Sequence, residues 1–322
     1  MLRDLSIPFE IGSLQLSHRL IQGPLAGVSA APFRQLFYDF VPPAYAVTEM
    51  ISAHDVLHKH APHSRYLYRA PEEKVLCYQL SGTCPETIAK AAFHVEQLGA
   101  DLIDINCGCP KPKIRQKGAG SALMDRPEWL CQIVRSVRDA IQIPLTVKLR
   151  IFGTAMDFYL AKQLEEAGAD ALIIHGRCWT SDYTVPCDFS QIQAIRQQVS
   201  IPVIANGDIY DAQSLANAVS AGQCDAYMIS RAGCGKPWLY QDLLSNRESS
   251  PSWPLRVTYF MHHLQGLSAL ESSYQAVMQA KTLVRYYFRH HLTVLQLQKF
   301  YTLSSLDAMA EYLFSYVVES QS

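Results

Sequence analysis

Apolar residues in the first two thirds of the chain come in short runs separated by longer amphipathic segments. The runs predict eight strands: Arg19–Gly23, Ala44–Thr48, Val75–Leu80, Leu102–Asn106, Leu145–Leu149, Ala171–His175, Val203–Asn206 and Ala226–Ser230. Most are too short for helices and rich in Val, Ile and Leu, as strands buried on both faces should be. Helical periodicity separates them, most clearly at Glu86–Leu98 and Pro127–Ala140, and also at Met156–Ala167, Phe189–Val199 and Ala212–Ser220. A faint repeat has the same grammar: GADLIDIN from Gly99, GADALIIH from Gly168 and, more loosely, GQCDAYMIS from Gly222. In each, glycine ends a helix and a strand follows at once. Alternating β and α units with short connections predict a parallel sheet, and eight units fit an α/β fold of the (β/α)8 TIM-barrel class. A doubly wound sheet is the alternative, but no glycine-rich dinucleotide fingerprint follows the first strand.

The alternation stops near Trp238. Ser245–Pro254 is linker-like, and Leu255–Ser322 has helical periodicity only. The predicted organisation is a barrel domain over residues 1–244 and a small helical domain over 245–322.

Polar residues collect where the predicted strands finish, and in a barrel those ends share one mouth. Pro24 and Ala26, Glu49, Gln79, Asn106 with Cys109, Lys148 with Arg150, His175 with Arg177, Asn206 and Arg231 all stand there. Cys109 lies between Gly108 and Pro110, on a rigid turn just past a strand. An ordinary thiol titrates near ~8.5 and keeps its proton at neutral pH, so Cys109 is a candidate proton donor. Cys107 reads as a core filler. Lys148 can neutralise an anion in the mouth. The loops after the last two strands carry Asn206-Gly207-Asp208 and Ser230-Arg231, in the customary phosphate site of barrels.

The chain has 322 residues, 49% hydrophobic and 18% charged, which excludes a mainly disordered protein. Nine cysteines without a CxxC pair read as a reduced cytoplasmic protein rather than a disulfide framework. No apolar run suggests a signal peptide or a membrane span, and nothing points to an obligate protein partner. Net charge is −1, so any nucleic-acid contact needs local patches. Two exist. Lys111, Lys113, Arg115 and Lys117 follow Cys109 directly, and Lys281, Arg285 and Arg289 form an i, i+4, i+8 stripe interleaved with Tyr286, Tyr287, His290 and His291. A solvated helix face and a polyanion contact explain the stripe about equally well. The four histidines of His54–Arg69 lack a recognised ligand spacing, and no metal site is expected.

Taken together, PLAGVSAAPFR from Pro24, TEM from Thr48, YQLSG from Tyr78, DINCGCPKPKIRQKGAGSALM from Asp104, VKLR from Val147, HGR from His175, IPVIANGDI from Ile201 and ISRAGCGKPWL from Ile229 resemble the tRNA-dihydrouridine synthase family, most nearly its bacterial B-type subgroup. The resemblance implies a TIM-barrel flavoenzyme with a carboxy-terminal helical domain. It implies FMN packed on Pro24, Leu25 and Ala26, met by Gln79, Lys148 and His175. Its phosphate would lie among Asn206, Gly207, Asp208, Ser230 and Arg231. It implies Cys109 as proton donor, NADPH as reductant and tRNA as partner. Asn106, Arg177, the Lys111–Lys117 run and the tail stripe are then candidate RNA contacts. Ser230 replaces the family's usual glycine, and Cys178-Trp179 replaces its usual TR. Two other readings stand beside this one: a flavin barrel acting on a free small molecule, of the dihydroorotate-dehydrogenase kind, and a non-catalytic RNA-binding descendant.

Overall fold

The computed structural model describes residues 4–289 and 291–319; Met1–Arg3, His290 and Ser320–Ser322 of the segments read above lie outside the described residues. All eight expected strands form. They are Leu20–Gln22, Ala46–Val47, Leu76–Ser81, Leu102–Cys107, Leu145–Ile151, Ala171–Cys178, Val203–Asn206 and Ala226–Ile229. Each pairs in parallel with its neighbours in chain order, and the eighth pairs with the first, so the sheet closes. Ile51–Ser52 adds a short extra pairing beside the third strand. Closure removes free edges and brings all the carboxyl ends to one mouth.

Helices Pro85–Gln97, Pro127–Ala140, Met156–Glu166, Phe189–Arg196 and Ala212–Gly222 pack outside, within a few residues of their predicted bounds. The fifth and sixth strands run past their expected ends, so Arg150 and Arg177 are strand residues. A register irregularity at Arg150/Ile151 accompanies that extension. The sequence pattern does not show the antiparallel hairpin Phe9–Ile11/Leu14–Leu16. Phe9, Ile11 and Leu16 pack with Leu102, Ala171, Ala226 and the other inward-facing residues at the strands' amino ends, and close that end of the barrel.

Period-2 alternation then fixes the mouth. Cys77, Ile173, Ile204 and Ala226 face the interior. Two residues further on, Gln79, His175, Asn206 and Met228 must face it too, one layer higher. Three of these strands therefore place an apolar residue low in the barrel and a polar one, Gln79, His175 or Asn206, above it.

Beyond Trp238 the chain is helical: Leu239–Ser245, Trp253–Leu270, Ser273–Tyr287, Val294–Tyr301 and Leu306–Glu319. The helix from Trp253 starts inside the expected linker, because Pro254 occupies its first turn, where a missing N–H costs nothing. This helix packs on the short helix Ala31–Gln35, with Gly266 against Pro32 and His263 against the Phe33 ring. Gly235 follows the last strand at φ +81°, and a Cβ there would come within 2.7 Å of the Tyr287 Cα. Bare backbone at Gly235 lets the tail sit directly over the barrel mouth. No helix among the described residues is long and apolar enough to cross a membrane.

Candidate active site

A cavity of about 1100 Å³ occupies the mouth and extends beneath the helical tail. Single-ligand pockets usually span roughly 300–1,000 Å³, so it has room beyond one cofactor-sized group. A smaller concavity of about 370 Å³ at the opposite end, by Pro8, Arg19 and Asp225, lacks any such convergence of strand ends.

Every residue expected to meet the cofactor lines the large cavity. Pro24, Leu25 and Ala26 form one wall with Met50 and Met228; Gln79, Lys148, His175 and Asn206 rise from the interior; Gly207, Asp208, Ser230 and Arg231 form the rim after the last two strands. Cys109 faces the same space, whereas Cys107 is fully buried in the core between strands and helices.

A chain of hydrogen bonds orders the interior. Thr146 Oγ1 and Gln79 Nε2 both donate to buried Asp104, each at 2.7 Å. Asn106 Nδ2 donates to Gln79 Oε1 at 2.9 Å, while Asn106 Oδ1 accepts the backbone N–H groups of Gly108 and Cys109. Gln79 is thereby fixed with its carbonyl spent inward and its second amide hydrogen open to a ligand. Asn106, expected to touch RNA, lines the cavity, is 8% exposed and anchors the Cys109 turn.

Lys148 Nζ donates to Asn206 Oδ1 at 2.8 Å, and Asn206 Nδ2 in turn donates to the Met228 carbonyl. Burial pushes the Asp104 carboxyl up and the Lys148 amine down, and their mutual attraction opposes both shifts. Burial, reinforced by the charges of Lys148, Arg150, Arg177 and Arg231, drives His175 down to about 2. The imidazole is therefore neutral, able to donate from one nitrogen and accept at the other.

Three expected RNA contacts point elsewhere. Arg177 has a side chain only 1% exposed, clamps both Asp208 oxygens at 2.8 Å and donates from Nε to the Val185 carbonyl. Arg115 is held by Ser121 and Asp125 and stacks on Trp179, 3.4 Å from the ring centroid. Arg285 donates to Tyr301 Oη. Lys111, Lys113 and Lys117 are exposed, and the first two line the cavity. Of the tail stripe, Arg289 reaches the cavity and Lys281 and Arg285 do not. The stripe splits because a wall of the cavity is one helix end, not a whole helix face.

Sequence reading missed Asp104, Lys236 and Arg256. Asp104 had a signal, an acid inside an apolar strand and two residues before Asn106. Lys236 and Arg256 line the cavity beside Arg289, from segments brought together only by folding. Ser230 also finds its explanation: its Oγ rests over the Cα of Gly23, where any side chain would collide with it. The added hydroxyl is thus accommodated by an absent side chain just past the first strand.

The residues present fit a flavin mononucleotide. An apolar wall, a fixed amide donor, a buried lysine and a neutral histidine suit a flat ring that gains negative charge on reduction. The rim fits a phosphate, with Gly207 at φ +115°, the opening turn of a 3-10 helix at Arg231, and the Arg231 charge.

Residues 21–310 match the dihydrouridine synthase (Dus) family. The tRNA-dihydrouridine synthase B of Vibrio vulnificus (strain CMCP6) is 34% identical over 307 residues, spanning 93% of this chain and 94% of that protein. The protein of the same name from Escherichia coli (strain K12) is 36% identical over 252 residues, 76% of this chain and 78% of its own. Among solved structures, a variant of NCR from Zymomonas mobilis superposes with a TM-score of 0.57 at 17% identity, covering 77% of this chain and 92% of that one. Morphinone reductase in complex with tetrahydroNAD gives 0.55 at 15%, covering 78% and 93%. These two speak for the fold alone. The extent and identity of the sequence matches decide the family: the chain belongs to the dihydrouridine synthases.

Proposed function

We propose that this protein is a cytoplasmic tRNA-dihydrouridine synthase, saturating the C5–C6 bond of uridines in tRNA with FMN as cofactor and NADPH as reductant. When bound and reduced, FMN supplies hydride for C6 of the uracil ring. Cys109 holds the proton for C5 at its Sγ, on a turn fixed by Asn106. Lys148 and neutral His175 complement the ring, and Gly207, Asp208, Ser230 and Arg231 hold the phosphate end. Arg177 supports that end indirectly, because it fixes Asp208. A uridine must leave its stack to reach Cys109, and the cavity's size accommodates an extruded base beside the flavin. Residues 245–322 act as the tRNA-binding domain, where Arg256 and Arg289, with Lys236, Lys111 and Lys113 of the barrel, line the cavity and contact backbone phosphates.

The observation that carries this reading is that Cys109 lines the same cavity as the entire flavin-type residue set. The experiment is to incubate purified protein with FMN, NADPH and tRNA lacking dihydrouridine, then to digest the RNA and quantify dihydrouridine by mass. Dihydrouridine should accumulate only when all three are present. NADPH consumption without any dihydrouridine would overturn the tRNA assignment.

A further inference from the structure

The helical tail reaches the cofactor wall through buried charge. Glu49 is the middle residue of the TEM segment and is 4% exposed. Its Oε2 accepts the backbone N–H of Gly27 at 2.6 Å. Gly27 closes the Pro24-Leu25-Ala26 turn at φ +78°, a conformation in which that N–H is turned to Glu49. The other oxygen of Glu49 takes two bonds from Arg65, from Nε at 2.8 Å and from Nη2 at 2.6 Å. The remaining arm of Arg65, Nη1, reaches Glu271 at 2.7 Å, at the turn between the first two long tail helices. Gln279, on the second of these helices, donates to the same Glu271 oxygen. Burial disfavours the charge on Arg65, and the Glu49 and Glu271 carboxylates together more than offset that, leaving its pKa above the ordinary value.

We infer that Glu271, Arg65 and Glu49 form a strut by which the docked tail holds the Pro24–Gly27 wall in its flavin-binding shape, making Glu271 a positioning residue for a cofactor it does not touch. Arg65 is shared, so losing Glu271 leaves a buried guanidinium half paired and free to turn from Glu49. The Gly27 N–H then loses a rigid acceptor, and the wall loosens. Linkage makes the coupling reciprocal: flavin on the wall tightens the tail. A protein that needs its tail to grip RNA thus holds its flavin best when the tail is seated. The inference rests on the proposed use of the cavity by FMN.

The test measures FMN dissociation constants by fluorescence quenching for the full-length protein and its variants. Glu271→Gln should bind FMN about three- to tenfold more weakly, in the range of couplings carried through packed networks. Glu49→Gln should be at least as weak, and the double variant no weaker than Glu49→Gln, because both act through Arg65. Tyr312→Phe, which cuts a bond to the Gln296 carbonyl wholly inside the tail, should leave FMN affinity unchanged. Added FMN should also slow hydrogen exchange in Ser273–Tyr287 of the unaltered protein, and not in Glu271→Gln. Full FMN affinity in Glu271→Gln overturns the strut. Additive losses in the double variant, or an equal loss in Tyr312→Phe, overturn it as well, showing independent effects or general loosening. Failure of the unaltered protein to bind FMN instead removes the flavin reading itself.

Discussion

The barrel mouth and the helical tail use the same residue types in opposite ways. In the mouth, Lys148, Arg150 and Arg177 are at most 9% exposed, and each has a named oxygen partner. In the tail, Arg285 and Arg289 are exposed, and Lys281 is half-exposed. Buried, held cations set a field: they reinforce the burial that keeps His175 neutral and offer fixed charge to a ligand that develops negative charge. Exposed cations set no fixed field, but they can follow a flexible polyanion and release its counterions. A net charge of −1 therefore coexists with a cluster of buried cations at the mouth and exposed cations on the tail.

The contrast is broken most severely at Cys109. Cys109→Ala should lower dihydrouridine formation by about 10²- to 10⁴-fold, the usual worth of a positioned proton donor, while the flavin absorbance of the purified protein stays the same. Unchanged turnover would mean that the mouth supplies its proton from elsewhere.

Histidines sharpen the comparison next. Burial, with a smaller push from the Arg65 charge, drives His263, on the tail helix Trp253–Leu270, down to about 3; His175 lies at about 2. Below about 6.5 the unfolded chain binds protons on both, and the folded protein does not until far lower pH. Stability must therefore fall as pH falls through that window, by ~1.4 kcal/mol per pH unit for each group. Urea unfolding of His263→Gln between about pH 6 and about pH 4 should show a slope smaller by about one proton. An unaltered slope would show that the tail contact opens enough in the folded state to let His263 charge.

The smallest effects lie on the tail surface. Arg289→Ala should weaken tRNA binding about three- to fivefold and reduce the salt slope by about one charge, as expected for one phosphate contact. Lys281→Ala should change affinity less than about twofold. Equal losses at both positions would extend the RNA path along the whole stripe, beyond the cavity.

The fold and the residues at the barrel mouth were both legible in the sequence, for the same reason. Strand periodicity is local, and parallel closure places every strand's carboxyl end at one mouth. Residues such as Gln79, Lys148, His175 and Asn206 were therefore locatable from their position along a strand. The Phe9–Leu16 hairpin was not, because its three-residue strands are too short to show a period. The helix start at Trp253 was hidden because proline and serine read as linker, though proline in a first turn is a helix signal.

Local pattern alone specified the barrel, its tail and the identity of the groups at the mouth, because alternation and short connections leave few topologies. Which charges are free to act was settled by contacts between distant segments. Arg65 meets Glu271 from 206 positions away, Arg177 is taken by Asp208 from 31 away, and Arg115 by Asp125 from 10 away. Periodicity reports which face a side chain occupies. It carries nothing about the distant oxygen waiting on that face, and a cation's function turns on that oxygen.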